Sequence, residues 1–254
     1  MSPLLQVAAI THPGKARPQN EDCIAADARG YAVLADGMGG HNAGEVASRM
    51  AVELVASRVA EYLASETACD AARAEALVAA QVALANSTLL HTASAEPEYR
   101  GMGTTLVVAL WRGLSVTYGH VGDSRLYRLR RGELSRLTRD HSMVQEQVDS
   151  GLLSPEQARC APHRNVLTRA VGIEPEVEAD VRTLEADPGD VYLLCSDGLT
   201  DMLQDADIGH TLIAHARNVK AAAQELVERA NQRGGLDNIS VIVVRVDGGE
   251  ELRA

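Results

Sequence analysis

Aromatic residues are scarce in this sequence: its 254 residues include no Phe, one Trp and six Tyr. A folded core must therefore be built mainly from Ala, Leu, Val and Ile, because few large rings are available to fill it. The four cysteines form no CxxC pair and are irregularly spaced, which disfavours a disulfide framework or a zinc knuckle. We expect reduced thiols, as in the cytosol.

Long apolar segments are also missing from the sequence. The longest apolar run, residues 106–111, is far shorter than the ~20 residues that a membrane-spanning helix needs. No basic stretch precedes the short apolar segment at residues 7–10, as it would in a signal peptide. There is no repeat and no linker rich in Pro or Ser. These features predict one domain, residues 1–254, in a cytoplasmic protein that does not bind membranes.

The charge is strongly negative, since 35 acidic residues against 24 Lys and Arg give a formal net charge of -11. Such a field disfavours nonspecific binding to nucleic acid or to anionic lipid. The sequence has no P-loop, nucleophile elbow or zincin motif, so nucleotide cradling, serine hydrolase and zinc protease chemistry have no support. A small basic cluster is either a solvated hairpin face or a docking patch for acidic phosphopeptides. Its members are Arg128, Arg130, Arg131 and Arg136.

Two kinds of segment predict a mixed fold. Short runs rich in Val, Leu, Ile and Tyr, bounded by Gly, Asp or Pro, are typical of strands, and Ala-rich segments with apolar residues three and four apart are typical of helices. The predicted strands are residues 4–11, 31–35, 105–110, 115–119, 125–129, 134–137, 191–195 and 239–246. The predicted helices are 45–64, 71–90, 142–150 and 219–232, with another beginning near 155. Because strands and helices are grouped rather than alternating, we expect antiparallel sheets flanked by helical layers.

Acidic residues recur where an apolar run meets a turn. Asp36 and Asp197 share one local pattern, an apolar run followed by Asp-Gly. The other acidic residues at such positions are Glu21, Asp22, Asp123 and Asp237. A single Asp-Gly or Asp-Asn is a common turn sequence, but this many in one domain favours a shared functional site.

Carboxylates that converge repel one another and need cations to neutralise them. Oxygen ligands without thiols or clustered imidazoles favour Mg²⁺ or Mn²⁺ over Zn²⁺ or Cu²⁺. Two such ions ~3.5–4 Å apart can share a water, lower its pKa and stabilise in-line attack on phosphorus. Arg17, four residues before Glu21, has a planar guanidinium that can hold two phosphate oxygens. Taken alone, it could equally be a solvated surface residue.

Six motifs can now be read together. They are Arg-Pro-Gln-Asn-Glu-Asp at residues 17–22, Ala-Asp-Gly-Met-Gly-Gly-His at 35–41, Gly-Met-Gly-Thr-Thr at 101–105, Gly-His-Val-Gly-Asp-Ser-Arg at 119–125, Cys-Ser-Asp-Gly-Leu at 195–199 and Asp-Asn-Ile-Ser at 237–240. In order and approximate spacing this set closely resembles the metal-dependent protein phosphatase family of type 2C. The segment after Asp36 is similar to the bacterial branch, and residues 141–172 resemble that branch's mobile flap.

The resemblance implies an α+β fold, a four-layer αββα sandwich in which paired helices flank two central antiparallel sheets. It also implies a protein-serine/threonine phosphatase that hydrolyses phosphoserine and phosphothreonine by attack of a metal-bridging hydroxide. Its cofactors would be two tightly bound Mn²⁺ or Mg²⁺ ions and a third, weaker one. The resemblance implies that Asp36 bridges the two tight ions and that the Gly37 carbonyl, Asp197 and Asp237 also bind them. Glu21 and Asp22 would bind metal through waters, and Asp123 would bind the weaker ion. Arg17 would bind the substrate phosphate.

The sequence departs from animal members of the family at one position. Where they have a His directly after the Asp-Gly, proposed as the acid for the leaving group, this chain has Met38. The leaving Ser or Thr oxygen still needs a proton, and the candidates for supplying it are His141 and a water on the third ion. His41 and His120 are expected to have structural roles.

Two alternatives to a broad phosphatase are a non-catalytic relative that senses a phosphorylated partner and a phosphatase dedicated to one regulatory partner. All the matched metal ligands are present, which argues against the first. The second usually carries an attached sensor domain, and we expect none within these 254 residues. The resemblance implies that phosphorylated proteins are the partners, namely a Ser/Thr protein kinase of the same cell and its substrates. A monomer is expected.

Overall fold

The computed structural model describes residues 4–40, 43–65 and 70–248 of the chain. Its strands are β1 (Leu4–His12), β2 (Asp22–Asp27), β3 (Tyr31–Met38), β4 (Gly103–Thr104), β5 (Leu106–Arg112), β6 (Ser115–Val121), β7 (Arg125–Arg130), β8 (Glu133–Arg136), β9 (Asp180–Glu185), β10 (Val191–Cys195) and β11 (Ile239–Asp247). Its helices are α1 (Ala43–Ala64), α2 (Ala71–Ala95), α3 (Met143–Asp149), α4 (Pro155–Arg159), α5 (Asp197–Thr200), α6 (Asp205–Ala214) and α7 (Val219–Gln232), with a 3₁₀ turn at Pro97–Tyr99.

Two antiparallel sheets form the centre of the molecule. The five-stranded sheet has the order β1-β11-β10-β7-β8, and the six-stranded sheet has the order β2-β3-β5-β6-β9 with β4 paired to β3. Helices α1 and α2 pack on the six-stranded sheet, and α5, α6 and α7 pack on the five-stranded sheet. This arrangement confirms the expected four-layer αββα sandwich.

The strands are apolar on both faces because each sheet is covered twice. In β3, Ala32 and Leu34 face the other sheet, whereas the alternate residues Val33 and Ala35 contact the α1 and α2 layer. The same period of two divides β11, where Ile242 points between the sheets. Continuous Val- and Ala-rich runs therefore arise from double coverage rather than from a parallel sheet.

Small side chains fill most of these layers. Along α1 the buried positions include Ala47, Ala51 and Val55, which let the helix approach β3 closely. One large pair lies between the sheets, where the rings of Trp111 and Tyr192 meet edge to face with centroids 5.5 Å apart. The expectation of an aliphatic core is thus confirmed, with the single tryptophan at its middle.

Several elements differ from the sequence-based prediction. Strands β2, β4 and β9 and helix α6 were not predicted, helix α1 begins before its predicted start, and helix α2 continues beyond its predicted end. The predicted turn after residue 195 is instead the short helix α5. β2 and β9 lie at the two edges of the six-stranded sheet, where half-exposed faces admit the charged residues that concealed them in the sequence.

Helix α2 is long and apolar enough, by length and composition, to cross a membrane. In the described residues it packs against α1 and β6 and buries Val78, Val82 and Leu89 in the core. A core helix passes the same test of length and composition, so this property of α2 gives weak evidence for a membrane span.

Candidate metal centre

The acidic residues singled out in the sequence meet at one edge of the sandwich, where strands of both sheets begin or end. Asp22 begins β2 and is paired with Asp36 in the register of β2 and β3. Asp197 follows β10, and Asp237 lies two residues before β11. The two sheets are joined here by a side chain, since Ser196 Oγ donates a hydrogen bond of 2.8 Å to Asp22 Oδ2.

Repulsion dominates the electrostatics of this cluster. Burial raises the pKa of Asp36 well above its ordinary value, and the neighbouring charges that raise it further are all carboxylates, led by Asp22 and Asp197. Burial likewise raises the pKa of Asp197, with Asp123 as the strongest neighbour. Both Asp36 and Asp197 keep some solvent exposure, so a ligand can reach them.

Asp22 is the most enclosed member of the cluster. Burial raises the pKa of this carboxyl to about 6, against the opposing effect of hydrogen bonds from Ser240 and Ser196. Its Oδ1 has no hydrogen-bond partner within the described ranges. A buried carboxylate oxygen without a partner costs free energy unless a cation satisfies it.

Two glycines let the backbone close around the cluster. A Cβ atom at Gly37 would lie 2.0 Å from the Gly44 carbonyl oxygen and 2.7 Å from that of Glu21. A Cβ at Gly198 would lie 2.0 Å from the carbonyl oxygen of Asn238. Only glycine fits at these positions, which explains why Asp-Gly occurs at both strand ends.

Glu21 lies beside the first turn of α1, where its carboxylate would touch a Cβ added to Gly44. Burial raises its pKa, and the charge of Arg17 partly opposes that shift. Its backbone is held on both sides, because its N–H donates to Asn238 Oδ1 at 2.8 Å and its carbonyl accepts from Gly37 N–H at 3.1 Å. The backbone of Glu21 is therefore held in place beside the carboxylate cluster.

Arg17 lies at the rim of the cluster. Its Nη2 donates to Asp237 Oδ2 at 2.7 Å, and about half of the Arg17 side chain is exposed. This contact, together with the charges of Glu21 and Asp197, raises the pKa of the guanidinium. An arginine held beside a carboxylate cluster and open to solvent can redirect its remaining donors to an incoming phosphate.

Asp123 lies in the turn between β6 and β7. Burial raises its pKa to about 7, with Asp140 adding to the shift and Arg125 opposing it. The turn is tied to the strand that carries Asp36, because Thr105 Oγ1 lies 2.7 Å from Ser124 Oγ and accepts the Asp36 N–H at 3.0 Å. Thr105 thus sets the spacing between the two carboxylates.

His141, expected from the sequence as a proton donor, has a different environment. Its side chain is 1% exposed, and its Nδ1 accepts the N–H of Gly122 at 3.2 Å. Burial and the neighbouring His120 lower its pKa to about 4, so the ring is neutral at pH 7. Both ring nitrogens face protein groups, which favours a supporting role over proton donation to a leaving group.

No role is predicted for Asn238 from the sequence, although Asn238 belongs to the Asp-Asn-Ile-Ser motif. Its Nδ2 donates to the carbonyls of Pro13 and Gln19 at 3.0 and 2.8 Å, and its Oδ1 holds Glu21. It therefore fixes the loop that carries Arg17 against the start of β11. The only sequence signal was an Asn directly after the Asp, which by itself is ordinary turn chemistry.

The cluster fits hard divalent cations. In the described part of the chain, the charged groups that surround Asp36 and Asp197 are carboxylates, with no thiol or imidazole named among them. Oxygen-only donors suit Mg²⁺ and Mn²⁺. The unpartnered Asp22 oxygen and the mutual repulsion of Asp36 and Asp197 are both relieved when cations bind.

The family model for protein phosphatase 2C matches residues 16–238 of this chain. The chain belongs to the protein phosphatase 2C family. The match begins just before Arg17 and ends just after Asp237, so it covers the whole cluster.

Individual relatives of this phosphatase 2C chain agree with the family match. The serine/threonine protein phosphatase PstP of Mycobacterium tuberculosis is 42% identical over 243 residues, which are 96% of this chain and 45% of the relative. The serine/threonine phosphatase stp of Listeria monocytogenes is 38% identical over 241 residues, covering 93% and 94%. A solved structure of the PstP catalytic domain in complex with two manganese ions is 40% identical, with a TM-score of 0.85 and coverage of 96% and 99%.

A cavity of about 710 Å³ opens beside the phosphatase 2C metal centre. Asp123 and Asp197 line one side, and residues of α3 and α4 line the other. The two ends of the segment that carries these helices are held together by isolated antiparallel β-bridges. Ser142 pairs with Leu167, and Thr104 pairs with Val171. The segment expected to be a flap therefore overhangs the carboxylates.

Two members of the basic hairpin cluster, Arg130 and Arg131, lie against acidic neighbours. Arg130 donates to Asp190 from two nitrogens, at 2.8 and 2.6 Å, and Arg131 lies 3.8 Å from Asp187. Paired guanidiniums favour the interpretation as a structural hairpin face over that of a docking patch. His41 and Cys69 lie outside the described residues.

Proposed function

We propose that this chain is a Mn²⁺- or Mg²⁺-dependent protein phosphatase that hydrolyses phosphoserine and phosphothreonine in proteins. The observation that carries the proposal is the convergence of Asp22, Asp36, Asp197 and Asp237. Arg17 contacts Asp237 at the rim of this cluster, and Asp197 also lines the adjoining cavity. The relatives named as serine/threonine phosphatases and the manganese complex of one of them support it. A merely sensing role has no comparable support, because every acidic residue that the family resemblance assigns to the metals is present.

Each residue of the centre would have one task. Asp36 would lie between the two tight ions with the Gly37 carbonyl on one of them, Asp197 and Asp237 would hold the other, and Glu21 and Asp22 would act mainly through waters. When bound, the divalent ions supply a nucleophilic water at neutral pH and stabilise charge at phosphorus. Asp123, with Asp197, would hold the third and weaker ion.

The phosphate would enter from the cavity and be oriented by Arg17. A guanidinium can give two parallel N–H donors to a phosphate, which fixes its orientation as well as its charge. Leaving Asp237 would free the Nη2 donor of Arg17 for the substrate. Met38 has no proton to donate at the place where animal members have His, so we propose that the leaving oxygen takes its proton from water at the Asp123 position rather than from His141.

We also propose a role for the overhanging segment and a class of partner. The segment from His141 to Gly172 would act as a flap, and phosphoproteins made by a Ser/Thr kinase of the same cell would be the partners. A net charge of -11 supports a site without nucleic acid or membrane contacts. We further propose a signalling role for a cytoplasmic monomer.

Chelation tests the metal dependence directly. Hydrolysis of para-nitrophenyl phosphate and of a phosphothreonine peptide should vanish after treatment with a chelator and return when Mn²⁺ or Mg²⁺ is added. Zn²⁺ serves as a matched control ion, because carboxylate-only ligands do not favour it. Full activity in the chelated protein without added metal would contradict the proposal.

A further inference from the structure

A cluster outside the carboxylate site joins the buried residues His120 and His141 with the exposed Asp180. One nitrogen of each ring and one Asp180 oxygen lie within 4.8 Å of one another. The two rings are stacked with centroids 4.6 Å apart, and each residue is 2% exposed. Among the described residues, His120 Nδ1 and His141 Nε2 have no hydrogen-bond partner, although Asp180 Oδ2 lies 3.4 Å from the latter.

The hydrogen bonds of the rings define where their protons are. His120 Nε2 lies 2.9 Å from the Arg139 carbonyl oxygen and must donate to it, so Nδ1 of a neutral His120 keeps its lone pair. His141 Nδ1 accepts the N–H of Gly122, so the proton of the neutral ring is on Nε2. That proton points toward Asp180.

The positions of these protons decide whether the cluster binds a metal ion or holds the backbone at Gly122. The spacing of the three side chains would suit a transition metal, but a ligating nitrogen must offer a lone pair, and His141 Nε2 carries a proton as long as Nδ1 holds Gly122. A support explains the contacts without that conflict, since Asp180 faces the Nε2–H and His120 stacks on the ring face.

Gly122 is the residue that His141 holds. Besides the Nδ1 contact, the His141 N–H donates to the Gly122 carbonyl at 2.9 Å, so both polar groups of Gly122 are bound by one residue. Gly122 has a φ of +100° and packs so closely on Thr105 that a Cβ would lie 2.7 Å from Thr105 Cγ2. The next residue is Asp123, and little freedom remains in the backbone that carries it.

We propose that His141 is a positioning residue whose Nδ1 fixes the Gly122–Asp123 turn and thereby sets the affinity of the Asp123 position for its metal ion. Asp180 and His120 keep the ring in the orientation that presents Nδ1 to Gly122. The part that concerns metal affinity rests on the proposed function, whereas the part that concerns the turn does not.

A pair of isosteric variants tests the contact. In His141→Asn the amide oxygen can take the place of Nδ1, and in His141→Gln the amide group reaches only the place of Nε2. Hydrogen exchange of the Gly122 amide in the metal-free protein should accelerate in His141→Gln and His141→Ala and stay close to wild type in His141→Asn. Wild-type exchange in all three variants would overturn the proposal, as would a His141 Nδ1–H tautomer in long-range ¹H–¹⁵N spectra.

Calorimetric titration with Mn²⁺ gives the second readout. The weak-ion affinity should fall roughly 10- to 100-fold in His141→Ala and His141→Gln, the range for outer residues that orient a ligand, and His141→Asn should recover most of it. Asp123→Asn supplies the reference for complete loss of that ion. Loss of the two tight ions in His141→Gln would overturn the proposal. A wild-type protein that binds only two ions would overturn the role of Asp123 instead, and Gly122 exchange would still decide the role of His141.

Discussion

Buried carboxylates occur in two regions of this molecule with opposite electrostatics. On the hairpin side, Asp190 is 1% exposed and forms a salt bridge of 2.6 Å with Arg130. Burial alone would raise its pKa, but the hydrogen bond and charge of Arg130, together with hydrogen bonds from Asp187 and Tyr192, lower it. In the candidate metal centre, Asp36 and Asp197 are surrounded mainly by further carboxylates and their pKa values are raised.

The comparison distinguishes structural from functional acids. A buried carboxylate paired with an arginine of the same chain is satisfied when the protein folds, so breaking that pair destabilises the protein. Carboxylates that repel one another destabilise the folded chain until cations bind between them. Substitutions in the two regions should therefore have opposite consequences for activity and stability.

The largest effect on activity is expected for Asp36→Asn. The change keeps the shape and removes the charge that we propose lies between the two tight ions, so kcat should fall at least roughly 100-fold, the scale of one preorganised electrostatic group. Because mutual repulsion is relieved, the chelated variant should be at least as stable as the chelated wild type. Kinetics with saturating Mn²⁺ and thermal unfolding in chelator measure both. A variant that keeps wild-type kcat would remove Asp36 from the centre.

Arg17→Ala should have the next largest effect, mainly on substrate capture. A charge-assisted pair contributes ~1.5–3 kcal/mol, which corresponds to a loss of about 10- to 100-fold in kcat/KM. Inhibition by free phosphate should weaken in parallel. Arg29→Ala is the matched control, since Arg29 forms an exposed pair with Asp27 away from the cluster. Equal phosphate inhibition in the Arg17 and Arg29 variants would show that Arg17 does not bind phosphate.

Asp190→Asn should show the reverse pattern, a loss of stability without a loss of activity. Removing the charge weakens the hydrogen bonds from Arg130, at a cost of about 1–3 kcal/mol in the free energy of unfolding. Asp187→Asn, at a partner that is 43% exposed, should cost much less. Chemical denaturation at pH 7 compares the two. A decreased kcat in Asp190→Asn at unchanged metal affinity would contradict the assignment of Asp190 to a purely structural role.

The smallest effect concerns pH. Asp123, with a pKa of about 7, and Asp36 and Asp197, with pKa values raised well above ordinary ones, bind protons more readily when folded. The stability they contribute is present at low pH and is lost as pH rises through those values. His120 and His141 have lowered pKa values and lose stability only as pH falls below about 6.5.

Between about pH 6.5 and 8, the pH dependence of stability should therefore come from these carboxylates and not from the two histidines. The chelated protein should become less stable over that interval, and saturating Mn²⁺ should abolish the decline. Asp190→Asn should keep the wild-type slope, and Asp123→Asn should reduce it. Thermal unfolding at fixed ionic strength measures these slopes, and a chelated protein that gains stability toward pH 8 would contradict the assignment.

Much of the fold and of the site follows from local sequence. The αββα layers were predictable because apolar strand runs and Ala-rich helices are grouped along the chain. The acidic residues were predictable because each stands beside a turn signal, and Asp-Gly at residues 36 and 197 reflects a real need for close backbone approach at Gly37 and Gly198. The edge strands β2 and β9 were hidden by their charged residues, which solvent tolerates at an edge.

Other features depend on contacts that no local pattern encodes. The environment of His141 is created by Gly122, His120 and Asp180, which lie between 19 and 39 positions away in the chain, so its role could not be deduced from its neighbours in the sequence. Asn238 similarly acts on residues more than 200 positions away. Support of this kind arises only when both sheets are assembled.

The single tryptophan has a consequence for spectroscopy. Trp111 is 1% exposed and lies against Tyr192 between the two sheets rather than at the metal centre. Its emission therefore reports separation of the sheets and carries little signal from metal binding or from movement of the overhanging segment. Intrinsic fluorescence thus isolates unfolding of the sandwich, and events at the carboxylate cluster need a probe of their own.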